Sequence, residues 1–337
     1  MRRSILLLII LALIMLVASP AAAQMIVSAG TSPPPTLVTT EYFKPIRVNC
    51  AGGNHTDPDG HVWAADYGYL NGTTSTTTHA ISGTSDQIPY QSERWGNPLN
   101  YAFTVTNGTY QVILHFAETY YSGVGQRIFN VALEGTTVLS NFDIFAEVGA
   151  DAALVKTYTV TVTDGTLNID MTASVDNAKI CGIEIYNLSD ILVNAGGSDY
   201  TDVAGNLWSA DVGYVNGKTF STTDAISGTL DDPLYQSERY NTSGNLHYAF
   251  EVPDGSYSIK LYFAEIYSGT WSVGARVFDI QLQGATVLSS LDIYSEVGGD
   301  AALIKTFPVT VTDGWIDIQF LTNIQAPQIN AIQIIGP

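Results

Sequence analysis

LNYAFTVTNGTYQVILHF, residues 99–116, decides the fold class. Leu99, Tyr101, Phe103 and Val105 alternate with Asn100, Ala102 and Thr104, and the alternation resumes after Asn107-Gly108 in Tyr110, Val112, Leu114 and Phe116. A period of two puts alternate side chains on opposite faces of a strand, whereas an amphipathic helix needs apolar residues three and four apart. Asn-Gly supplies the backbone freedom a tight connection demands. The stretch therefore reads as two half-buried strands joined by a turn. The same pattern continues outward through Phe129/Val131/Leu133 and Tyr158/Val160/Val162, then across Asp164-Gly165 into Leu167/Ile169/Met171. No amphipathic helix longer than about two turns interrupts it. Many short strands with Gly- and Asp-rich turns predict an all-β fold, a jelly-roll-like β-sandwich.

The decisive stretch also returns, as LHYAFEVPDGSYSIKLYF at 246–263. WAADYGYLNG (63–72) returns as WSADVGYVNG (208–217), YQSER (90–94) unchanged at 235–239, and FDIFAEVGADAALVKT (142–157) as LDIYSEVGGDAALIKT (291–306). A repeat of this length is a duplicated domain, not a solenoid unit of ~20–50 residues. Two tandem sandwiches are expected, at 46–188 and 189–337. With only residues 187–190 between the copies, they are expected to touch.

The first 23 residues read as a signal peptide: Arg2 and Arg3, then the apolar run Ile5 to Val17, then Ala21-Ala22-Ala23 before Gln24. Residues 24–45, with Pro33-Pro34-Pro35, have a linker composition. The chain carries a formal charge of −19 from 13 basic and 32 acidic residues. Without Arg2 and Arg3, the balance is 11 against 32. A field of that sign repels phosphate backbones and anionic lipid, so no nucleic-acid partner is expected, nor a membrane once the signal is cleaved. The expected location is secreted or cell-surface.

Paired carboxylates such as Glu93, Glu118, Asp143, Glu147 and Asp151 recur in both copies, which keeps a glycosidase in view, although a structural ion pair or turn acceptor is the commoner role for Glu93 and Glu118. The histidines are scattered, and the strand residue His115 is replaced by Tyr262, which argues against a shared metal or triad role. Asp57-Pro58-Asp59-Gly60 has the start of a calcium loop but not the rest of one, and reads as a turn. No metal or cofactor is expected. Cys50 and Cys181 both show core parity and are matched in the second copy to Asn194 and Asn330. Their joint replacement reads as a disulfide in one copy and an Asn–Asn hydrogen bond in the other, with two packed free thiols as the alternative.

Aromatics gather between strands: Tyr67, Tyr69, Tyr90, Trp95, Tyr120 and Tyr121 in the first copy. Aromatic faces stack on sugar C–H surfaces while nearby polar groups bond the hydroxyls, so the cluster suits a carbohydrate cleft. Tyr69/Tyr214 and Tyr90/Tyr235 occur in both copies and have packing as the competing role.

Several runs together resemble the malectin family of β-sandwich carbohydrate-binding domains. They are Val48-Asn49-Cys50-Ala51-Gly52-Gly53, Tyr-Gln-Ser-Glu-Arg, Phe116-Ala117-Glu118, Arg127-Ile128-Phe129-Asn130, Phe142-Asp143-Ile144 and Asp176-Asn177-Ala178-Lys179-Ile180-Cys181. The resemblance covers both domains and implies binding of glucose-containing oligosaccharides in a loop-formed cleft. Carried over residue by residue, it implies a sugar site at Tyr67, Trp95, Tyr120, Tyr121 and Asp176. In the second domain only Tyr240 and Tyr267 keep matching aromatics. Val212, Ser268 and, approximately, Gln325 stand at departed positions, and Trp271 lies in an insertion beside Tyr267. The second domain is therefore expected to bind weakly, to bind another sugar, or only to support the structure. The leading expectation is an exported, non-catalytic binder of oligo- or polysaccharide. The alternatives are a structural or adhesive module for a protein partner, and a glycoside hydrolase using Glu118 or Asp143.

Overall fold

The structure, a computed structural model, describes residues 44–336. The signal-peptide reading and nearly all of the linker reading lie outside them. Among the described residues no helix is long and apolar enough to cross a membrane.

The first unit stacks a six-stranded sheet on a four-stranded one. Spatial order in the larger sheet is Leu154–Val162, Gly108–Phe116, Gly182–Asn187, Ile46–Asn49, Val62–Ala65 and His55–Thr56. The smaller sheet runs Leu99–Thr104, Thr166–Val175, Ile128–Leu133, Thr136–Phe142. Leu99–Thr104 and Gly108–Phe116 therefore do not pair with each other; the Asn107-Gly108 connection carries the chain from one layer to the other. Leu99, Tyr101 and Phe103 then meet Tyr110, Val112, Leu114 and Phe116 in one core. Aligned sheets packed face to face bury one side of every strand, which is what the alternation encodes. The second unit repeats the design: Leu246, Tyr248 and Phe250 on one sheet face Tyr257, Ile259, Leu261 and Phe263 on the other.

The recurrent Asp-Ile motif forms the two α-helices among the described residues, Ile144–Val148 and Ile293–Val297. Asp143 Oδ1 accepts from the Ala146 N–H at 3.1 Å and Oδ2 from the Gly125 N–H at 2.6 Å. Asp292 does the same with Ser295 and Gly274. Asp143 is thus an N-cap that ties down a loop, a satisfied structural carboxylate.

The disulfide reading is corrected. Cys50 and Cys181 are buried free thiols. Their backbones touch, Cys50 N–H donating to Cys181 O at 2.9 Å. Cys50 packs in the main core, but Cys181 sits at a bend between two strands and packs with Ile81, Tyr90 and Ala117 in a separate cluster. The bend shifts its parity away from Ile183. The matching was also one residue out of frame at Cys50. Asn49 and Asn194 make the same bonds, to Gly53 O and Ser198 O, so Ala195 is the counterpart of Cys50. Asn330 does replace Cys181, but its amide donates to Tyr235 O and Ser237 O, not to Asn194.

The two units touch, as the short joint implies. Arg47, 3 % exposed, donates to Glu184 Oε2 at 2.8 Å and Tyr186 OH at 2.6 Å and forms an ion pair with Glu251 of the second unit. His61 stacks on Trp315 with centroids 5.6 Å apart.

Candidate functional site

Four of the five carried-over residues of the first unit converge. Trp95, Tyr120, Tyr121 and Asp176 line a cavity of about 290 Å³ together with Ser75, Glu93, Arg127 and Asn177. Tyr67 does not reach it; it is half exposed and packs edge-on to Phe103 at 5.7 Å. Trp95 is delivered by the strand Ser92–Gly96, which pairs with Thr73–Thr76 on one side and Ala178–Ile180 on the other. Tyr120 and Tyr121 follow the core strand Gly108–Phe116 and stand perpendicular, centroids 4.9 Å apart. Tyr120 is 77 % exposed, an open aromatic face.

A buried charge network forms the floor, in which Glu93 and Glu118 take the ion-pair role the sequence left open and Arg127 and Lys179 are the partners it did not show. Glu118, 1 % exposed, accepts the Tyr120 and Tyr121 N–H groups at 3.0 and 3.1 Å with Oε1, and Arg127 Nε at 2.8 Å with Oε2. It therefore sets the aromatic pair in place. Arg127 reaches on to Asp176 Oδ2 at 2.9 Å and Asn177 O at 2.8 Å, and its guanidinium lies 5.1 Å from the Tyr121 ring centre. Lys179, wholly buried, pairs with Glu93 and stands 4.0 Å from Glu118. Burial pushes the Glu118 carboxyl up, but Lys179 and Arg127 outweigh it and hold it below its ordinary range. Glu118 is an ionised, fully engaged acceptor, which removes the proton a general acid must carry.

Tyr69/Tyr214 and Tyr90/Tyr235 are engaged in the fold. Arg94 lies 3.5 Å from the Tyr69 ring centre and bonds Asp66, whose other oxygen accepts from Tyr101 OH at 3.0 Å. Arg239, Tyr214, Asp211 and Tyr248 repeat this arrangement. Tyr90 and Tyr235 are buried.

In the second unit the equivalent position is rebuilt. Strand register matches Phe220 to Ser75, each opposite the Glu of its YQSER run, and Phe220 packs edge-on to Tyr267 at 5.7 Å. Tyr240 is half-buried at the end of Ser237–Tyr240. The indole N–H of Trp271 donates to Glu265 O at 3.0 Å, and the ring lies so close to Gly299 that a Cβ there would meet it at 2.4 Å. The first unit has Ala150 at that bridge. Gln328 replaces Lys179, leaving Glu238 and Glu265 with Arg276 as the cation between them, 3.6 and 3.2 Å away. Burial pushes Glu238 up to about 7, against the pull of Arg276, and raises Glu265 as well. Position 179/328 carried a signal in the sequence: one copy has a charge where the other does not.

A malectin domain model matches residues 44–186 and 189–335. Malectin-B of Xenopus laevis is 33 % identical over 135 residues, 38 % of this chain and 47 % of that protein. The receptor-like protein kinase FERONIA of Arabidopsis thaliana is 25 % identical over 319 residues, 74 % of this chain and 36 % of that protein. The matches thus span less than half of the length of these relatives. The crystal structure of the plant receptor-like kinase FER is similar over 86 % of this chain and 95 % of that one, at 22 % identity and a TM-score of 0.40. With both units matched along their length, this chain belongs to the malectin domain family, as a tandem pair.

Proposed function

We propose that the protein is an exported, non-catalytic carbohydrate-binding protein whose first domain holds a glucose-containing oligo- or polysaccharide in the Trp95–Tyr120–Tyr121 cavity. The observation that carries this reading is the juxtaposition of aromatic side chains with fixed hydrogen-bonding groups. Trp95 and Tyr120 offer stacking surface, while Asp176, Arg127 and Glu93 border the same space. The network under them is already bonded, so the groups are pre-organised and little ordering opposes binding. A cavity of about 290 Å³ is at the small end of ligand pockets, in keeping with a short stretch of sugar. In the second domain Phe220 and Trp271 fill in around Tyr267, and its role is weaker binding or support of the first.

Titration calorimetry with gluco-oligosaccharides tests the site. Trp95→Ala and Asp176→Ala should each weaken binding roughly tenfold or more, as expected for residues at the centre of a contact. Unchanged affinity in both variants contradicts the assignment.

A further inference from the structure

A second, larger concavity lies at the junction of the first domain with the second. Its volume is about 470 Å³. The first domain contributes the Asp57–His61 turn, the segment 84–90 and the outer faces of Gly108–Phe116 and Gly182–Asn187; the second contributes Pro253-Asp254 and Thr312–Gly314. Domain junctions are favoured places for ligands.

Its chemistry differs from that of the aromatic cavity. Trp63, Tyr90 and Tyr186 line it but are each no more than 5 % exposed, so they offer no open face to a sugar ring. Six carboxylates line it instead: Asp57, Asp59, Asp86, Glu184, Asp254 and Asp313. No lysine or arginine is among its lining residues. Arg47, behind the wall, balances Glu184. Histidines also contact these carboxylates: His55 bonds Asp86, His61 bonds Asp57, and His115 bonds Glu184. Burial raises Asp57 and Glu184, yet the His61 ring and Trp63 N–H hold Asp57 down to about 2, and His115, Arg47 and Tyr186 hold Glu184 down to about 2. Both are ionised at neutral pH.

A separate observation points the same way. His61 is 8 % exposed, and its Nδ1 lies 3.2 Å from Asp57 Oδ2. A carboxylate there fixes the proton on Nδ1 and leaves Nε2 as an acceptor. That Nε2 is buried beside Gly314, another lining residue, and has no hydrogen-bond partner. A buried polar atom without a partner is unfavourable, and an N–H donor that reaches it past Gly314 would relieve that.

We propose that this junction cleft is a binding site for a cationic, donor-rich ligand, one that brings guanidinium or ammonium groups to Asp59, Asp254 and Asp313 and an N–H to His61. The ligand chemistry is that of basic peptide side chains or polyamines. Because the cleft has a wall from each domain, occupancy also clamps the two together. The site shares no lining residue with the Trp95 cavity.

The test is calorimetric titration of the whole chain with a tetra-arginine peptide and, separately, with spermidine. The reference variant Asp59→Asn/Asp254→Asn removes two cleft charges. A charge-matched control, Glu147→Gln/Glu296→Gln, removes two exposed charges that do not line the cleft. The expected result is binding of at least one probe, weakened roughly tenfold in the cleft variant and by less than about twofold in the control, with Trp95→Ala unchanged. The preferred probe tells a guanidinium peptide from a free polyamine. Absence of binding by both probes at about 1 mM and low salt overturns the proposal. So does an equal loss in the cleft variant and the control, which would mark the attraction as the diffuse field of an acidic chain. Failure here leaves the sugar reading intact, and the reverse also holds.

Discussion

Lys179→Met lowers the stability of the first domain by roughly 3–5 kcal/mol, the scale for removing one partner from a buried ion pair. The ammonium is wholly buried between Glu93 and Glu118, and methionine of similar length leaves both carboxylates without it. Arg127 still serves Glu118, and Thr119 Oγ1 still donates to Glu93 at 3.1 Å, so the fold survives in weakened form. Because the chain has two domains, one global transition would mix their stabilities. Native-state hydrogen exchange resolves them. Peptides from Gly108–Phe116 should lose protection, while those from Gly255–Phe263 should keep it. A loss below about 1 kcal/mol in the first set would show that the network is not what holds the site floor together.

The second domain should lose stability as pH rises from about 4.5 to neutrality, by about 3 kcal/mol from Glu238 alone. Below pH 4.5, the ordinary glutamate value, folded and unfolded chains both carry the proton. Between 4.5 and about 7 the unfolded chain releases it and the folded one retains it, so unfolding gains ground with each step. Above about 7 the penalty is complete. Glu265, also raised, acts in the same direction. Glu118 in the first domain is lowered and acts in the opposite one: its contribution is present above pH 4.5 and is lost as pH falls below that. Gln328→Lys places in the second domain the cation the first already has and should flatten the loss. Hydrogen exchange of Gly255–Phe263 peptides between about pH 5 and pH 8, corrected for intrinsic rates, reads both effects. A flat profile in the unaltered chain, or an unaltered slope in Gln328→Lys, contradicts the account.

The alternation in 99–116 carried the fold because a sandwich buries one face of each strand, and periodicity records that burial directly. The repeat located its second copy. Most of the lining of the candidate cavity was also legible, since Trp95, Tyr120 and Tyr121 lie at or just beyond strand ends, where loop geometry brings them together. Tyr67 was misplaced because position in a motif does not fix where a loop side chain turns, and Phe103 holds it elsewhere. Lys179 was invisible as a buried charge. It lies between the core residues Ala178 and Ile180, on the face a lone sheet would leave wet, and the loop bearing Glu118 covers that face. The disulfide reading failed on parity alone: one bend at Cys181 exchanges the faces, and alternation cannot show a bend. The carboxylates of the junction cleft come from segments far apart in sequence, and their convergence depends on how two domains meet.

The central claim is the sugar site of the first domain, and the most direct measurement is a glycan array probed with the purified chain and with Trp95→Ala. The expected result is retention on glucose-containing glycans by the unaltered chain and its loss in the variant. Silence of the folded, unaltered chain across the array, or equal retention of both, contradicts the claim.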